Sequence, residues 1–161
     1  YSSKALIKKR KSKNWKIPVC YDSQFALDLP ELCDKLKLSK VEVIQLHCMP
    51  KYTVFFIGFL PGFLYLGGLD KKLAFPRKAT PRHHVSAGAV CIGGPQTGVY
   101  PVDSPGGWNI IGNSPVQLFN SDSKNPCFVE PGDTLQFYSI DANKHAELKI
   151  LEPNDFLIHQ T

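Results

Sequence analysis

Residues 52–70 read YTVFFIGFLPGFLYLGGLD, and this stretch decides what kind of fold the chain can have. Its first 18 residues carry no charge, a length close to that of a membrane-spanning helix. Gly58, Pro61, Gly62, Gly67 and Gly68 interrupt it, and so many breaks are incompatible with one continuous helix. The aromatic and β-branched pieces on either side of Pro61-Gly62 therefore read as strand, turn and strand inside a folded domain.

Downstream the same texture continues through VSAGAVCIGGPQTGVYP (85–101) and SPGGWNIIGNSP (104–115). Strands are predicted at 52–58, 63–66, 88–93, 97–101, 108–112, 115–119 and 134–140, with Pro131-Gly132-Asp133 as the turn into the last. Short strands with Gly/Pro turns point to an antiparallel barrel or sandwich. Residues 70–84 show no strand pattern and are read as a long loop, a feature often tied to function. Upstream, IPVCY (17–21) reads as a strand and Asp28 as the cap of a helix to about Leu38, with Leu29, Leu32, Cys33 and Leu36 facing inward. Ser39-Lys40-Val41-Glu42 is a capping-box pattern that opens a second helix ending near His47, and a last helix is expected over 141–148.

At 161 residues, 43% of them hydrophobic, the chain can bury a core of its own. The net charge of +5 is local: residues 1–16 hold seven Lys and Arg and no acid, which leaves −2 for the rest. Residues 1–16 are read as a solvated basic linker rather than a nucleic-acid or membrane-binding face, and 17–161 as the folded domain. The chain opens on Tyr1, so a preceding N-terminal part is expected. Five cysteines without a CxxC fit a reducing, cytoplasmic compartment better than a disulfide framework or a zinc site.

Arg77 and Arg82 each follow a proline, and their guanidinium forks suit a carboxylate or phosphate. Gln96, Thr97 and Tyr100 offer an amide, a hydroxyl and a phenol for orienting a small polar ligand. In a regular strand Thr97 and Tyr100 face opposite ways, unless Gly98 introduces a bulge. Gly106-Gly107-Trp108 would set an indole beside open backbone, and Tyr65 adds a second ring to the candidate ligand contacts. Adjacent His83 and His84 make a poor chelate, and His47 is a base only if it faces a pocket. There is no GxxxxGK[ST], GxSxG, HExxH or GxGxxG motif, so the chain by itself carries no self-sufficient nucleotide-hydrolysing or nucleophilic site.

Taken in order, IPVCYDSQFALDL (17–29), GFLPGFLYLGGLD (58–70), PRKATPR (76–82), the segments 85–101 and 104–115 quoted above, and VEPGDTLQF (129–137) resemble one family. It is the family of the 5-oxoprolinase B subunit, also called allophanate hydrolase subunit 1, which includes the sporulation-kinase inhibitor KipI. The resemblance implies a mainly β, cyclophilin-like closed barrel with a few short helices, following a smaller N-terminal domain. It also implies work as one component of an ATP-dependent enzyme that hydrolyses 5-oxoproline to glutamate, inactive alone. Its partners would be the 5-oxoprolinase C subunit, built on a homologous barrel, and the A subunit of LamB/YcsF type. The alternative it carries is a KipI-like inhibitor that binds a sensor histidine kinase. On this reading Arg77, Arg82 and Tyr100 are the expected catalytic groups, with Gln96, Thr97, Gly106, Trp108 and Tyr65 as substrate contacts. The chain departs from the family pattern at Phe25-Ala26-Leu27, Ser86 and Asn113-Ser114, where Gly-Pro, Pro and Arg-Thr are common. The missing arginine at 113 would weaken an anion site there, as in a paralogue with an altered substrate or in a regulator.

Overall fold

The computed structural model describes residues 11–56, 60–124, 126–149 and 156–160. Residues 1–10 of the expected linker, and residues 57–58 of the expected strand 52–58, lie outside them.

Seven strands close a barrel: β1 (Lys13–Cys20), β8 (Asn109–Asn113), β5 (Ala89–Gly93), β6 (Gln96–Val99), β3 (Leu64–Gly67), β2 (Tyr52–Phe56) and β9 (Thr134–Ile140), which returns to β1. The neighbours are antiparallel except at the seam, where β1 and β9 run parallel from Asn14↔Thr134 to Cys20↔Ile140. An all-antiparallel barrel is thus corrected at this one pairing. Outside the barrel wall, β10 (Leu157–Gln160) extends the sheet beside β1, and β4 (Arg82–Val85) pairs with β7 (Ser104–Gly106) in a separate ribbon. β1 begins at Lys13, four residues ahead of the expected strand, and Lys13 and Lys16 lie over the Trp15 and Tyr138 rings.

Asp133 pins the seam. It is fully buried, and its carboxylate accepts from the Lys13 amide (3.0 Å), the Trp15 indole (3.0 Å) and the Glu130 amide (2.9 Å). A buried carboxylate is tolerable only when its lone pairs are met in this way.

Strands β5 and β8 are buried on both faces, because the wall they build separates two cores. Val90, Ile92 and Ile111 enter the barrel interior with Trp15, Leu66 and Phe137. Cys91 and Ile110 face outward into a smaller cluster with Phe63, Val85, Tyr100 and Trp108. Helices α1 (Leu29–Leu36) and α2 (Lys40–Cys48) supply Leu29, Leu32 and Val43 to the interior cluster. The expected Ser39–Glu42 capping box opens α2, a device worth about 1 kcal/mol. A third helix, α3, spans Ala142–Leu148. All five cysteines are free thiols. Among the described residues no helix is long and apolar enough to cross a membrane.

Candidate functional site

The outer cluster opens into a cleft of about 370 Å³. Phe63, Tyr65, Tyr100 and Trp108 form its aromatic wall: Phe63 meets Tyr100 edge-on with ring centroids 5.0 Å apart, and Tyr65 meets Trp108 at 5.8 Å. The opposite rim carries Arg77, Lys78 and Pro81, and Gly106 and Gly107 complete it. The β4–β7 ribbon brings the rims together by pairing Arg82 with Gly106.

Arg77 is exposed, and its guanidinium carbon lies 5.0 Å from the Trp108 ring centroid. Among the described residues no carboxylate pairs with it, so its charge is available to a ligand. Its loop is stitched down on both sides. The Asn109 side-chain amide donates to the Pro76 carbonyl (2.8 Å) and the Ile92 carbonyl (3.1 Å), and the Lys78 amide donates to the Gly107 carbonyl (2.7 Å). Burial pushes the Tyr100 phenol up to about 12, so it stays protonated at neutral pH. Any side chain at 106 would collide with that phenol, since a Cβ there would sit 2.0 Å from the Tyr100 oxygen.

Of the residues singled out in the sequence, Arg77, Tyr65, Tyr100, Gly106 and Trp108 meet in this cleft. Arg82 lies elsewhere: its guanidinium makes two bonds to the buried Asp28 carboxylate, at 2.6 and 2.7 Å. Gln96 starts β6, opposite Gly93, and does not line the cleft. Thr97 is buried on the other face of the wall, and β6 pairs in regular register with both neighbours, so no bulge turns it toward Tyr100. Phe63 and Lys78 complete the cleft without having been singled out. The alternation Phe63-x-Tyr65 was the available signal for the first, because residues two apart on an extended chain share a face.

Inside the barrel, Thr97 belongs to a relay around His47. The Thr97 hydroxyl donates to the Cys91 carbonyl (2.8 Å), so it accepts from His47 Nε2 (2.9 Å), and His47 Nδ1 accepts from the Tyr21 phenol (2.5 Å). Fully buried, His47 is held neutral, its pKa pulled down by burial to about 3. It faces no cleft and is not placed as a base. An unfolded histidine takes up a proton near pH 6.5, so below that value the unfolded state gains what the folded state refuses. Stability should therefore fall as pH drops from 6.5 toward 3, with about 2 kcal/mol lost at pH 5 through this residue. Urea midpoints at pH 7 and pH 5 test this: His47→Gln should shrink the difference between them, and an unchanged difference would remove His47 as its source.

Among the described residues no group of three His, Cys, Asp or Glu is placed to hold a metal. The exposed His84 instead lies 3.3 Å from Asp103.

The family model for the carboxyltransferase domain, subdomain C and D, matches residues 2–129. The chain belongs to this carboxyltransferase-domain family. The resemblance to the 5-oxoprolinase B subunit is borne out as well: the protein of that name from Bacillus subtilis (strain 168) is 46% identical over 124 residues. That match takes in 77% of this chain and 52% of the relative, so the chain spans about half the length of the curated relative. A conserved uncharacterised protein from Pyrococcus horikoshii has a similar structure, with a TM-score of 0.80, 46% identity, and coverage of 83% of this chain and 62% of that one. The urea amidolyase of K. lactis shares the fold alone, at 17% identity and a TM-score of 0.75 over 94% of this chain and 11% of its own.

Proposed function

We propose that the full-length protein is one component of an ATP-dependent 5-oxoprolinase and that the aromatic cleft holds 5-oxoproline. The observation that carries this reading is the 46% identity to a protein named as the B subunit of 5-oxoprolinase. That name also favours the enzyme over the kinase-inhibitor alternative.

The cleft chemistry supports the reading. 5-Oxoproline is a flat five-membered lactam bearing one carboxylate. Tyr65 offers aromatic surface for the ring, and Arg77, stacked over Trp108, offers an unpaired cation for the carboxylate. The protonated Tyr100 phenol is a donor toward oxygen charge that develops as the lactam opens. A lactam resists water at neutral pH, and ATP would supply activation of its carbonyl oxygen as a phosphate ester. The chain has no phosphate-loop motif, so the nucleotide is assigned to an interface or to a partner protein. The proposed partners are the homologous-barrel C subunit and the LamB/YcsF-type A subunit. Arg82 enters through its pairing with Asp28, while Gln96 and Thr97 support the wall behind the cleft.

The test is ATP-dependent glutamate release from 5-oxoproline by the full-length protein mixed with its homologous-barrel and LamB/YcsF-type partners. Turnover that disappears when this protein is omitted supports the proposal. No turnover from a properly assembled complex would overturn it and redirect the assay to other cyclic amides or to kinase inhibition.

A further inference from the structure

Asp28 stands at the N-cap position of α1 yet makes no side-chain bond to the helix. Its carboxylate is turned away, to the Lys78 ammonium (3.1 Å), both terminal nitrogens of Arg82 (2.6 and 2.7 Å) and the Ile110 amide (2.7 Å). The Asp28 amide in turn donates to the Ile110 carbonyl at 2.8 Å. Asp28 is therefore fixed to β8 at two points, two residues along from Trp108. The loop from 76 to 82 hangs on it by two cations, and Arg77 sits inside that loop. Helix capping alone would not hold so buried an acid against three donors from two other segments; the arrangement is a clasp on the cationic loop.

We propose that Asp28 is a positioning residue for the cleft, holding the Lys78–Arg82 loop so that the Arg77 charge rests over Trp108. The inference deepens the reading of the cleft as a carboxylate site and rests on it for its effect on ligand binding. Asp28 touches no ligand; it acts through Arg77.

That route gives a signature a merely structural role would lack. In the full-length protein, the Trp108 indole N–H resonance, identified by its loss in Trp108→Phe, reports the guanidinium above the ring. Arg77→Ala sets its position without the cation. Asp28→Asn should move the resonance toward that position and weaken 5-oxoproline binding about 10-fold, a fraction of what a charged hydrogen bond contributes. In an Arg77→Ala background the same change should weaken binding less than about 2-fold, because residues acting through one group do not add. An unmoved indole in a folded Asp28→Asn protein, or a full second loss in the double variant, would overturn the proposal. If Asp28→Asn fails to fold, Lys78→Met removes one arm of the clasp; because Lys78 itself lines the cleft, the indole resonance alone is read in that variant, and an unmoved indole there would overturn the proposal. If 5-oxoproline binds neither wild type nor variants, the ligand reading fails, and the indole resonance alone decides the role of Asp28.

Discussion

Arg77→Ala is expected to lower kcat/KM for 5-oxoproline about 100-fold in the proposed 5-oxoprolinase assembly, the order of a lost charge-assisted hydrogen bond. The folded domain should hardly notice. Arg77 is exposed and its contact with Trp108 is a cation–π pair, worth about 0.5–1 kcal/mol at such a site. Arg77→Lys should recover only part of the activity, because an ammonium neither stacks on the indole nor offers a planar fork to a carboxylate. Arg82→Ala should behave differently, since it strips two of the four bonds from the buried Asp28 carboxylate and should lower stability along with activity. Steady-state kinetics and urea midpoints on the two alanine variants separate these outcomes. Unchanged turnover in Arg77→Ala would remove the cleft cation from the chemistry.

Gly88→Ala should destabilise the protein by about 3 kcal/mol or more, while Gly94→Ala should cost about 1 kcal/mol. Both glycines have positive φ, +83° and +60°, so the backbone penalty is shared. Their surroundings are not. A Cβ at 94 meets nothing within 4 Å, whereas one at 88 would sit 2.3 Å from the Ser114 carbonyl oxygen and 2.9 Å from Asn113 Oδ1. The Ser114 carbonyl is backbone and cannot swing aside, and the Ser114 amide is bonded to the Gly88 carbonyl at 2.8 Å. Relief therefore means pulling the start of β5 away from the end of β8 and opening the wall behind the cleft. Equal losses in chemical denaturation of the two variants would show that the collision at 88 is relieved some other way.

Most of the barrel was legible because its strands are short apolar runs between Gly and Pro. β4 was not, since Arg82-His83-His84-Val85 is polar, mostly exposed, and paired only with a three-residue strand. The alternation at 115–119 misled in the opposite direction: Val116 and Leu118 are buried in the interior cluster, yet that segment forms no ladder. Alternation reports burial, and Pro115 has no N–H to donate. In the cleft, Arg77 and Arg82 look alike in sequence, each following a proline. Only the fold tells them apart, by bringing Asp28 from 54 residues upstream to one and leaving the other free of a described carboxylate. Tyr100 and Thr97 were separable in principle, since a regular strand sends them to opposite faces. The parallel seam had no signal at all, because neither β1 nor β9 names its partner in its composition.

That seam sets a timetable for synthesis. Asn14 finds its partner in Thr134, 120 residues later. At roughly 5–20 residues per second, a ribosome leaves β1 waiting on the order of 6–24 s for the strand that shuts the barrel. Through that interval the nascent sheet has two open edges, one of them the apolar IPVC of residues 17–20. How long those edges stay open is set by the topology rather than by any single residue.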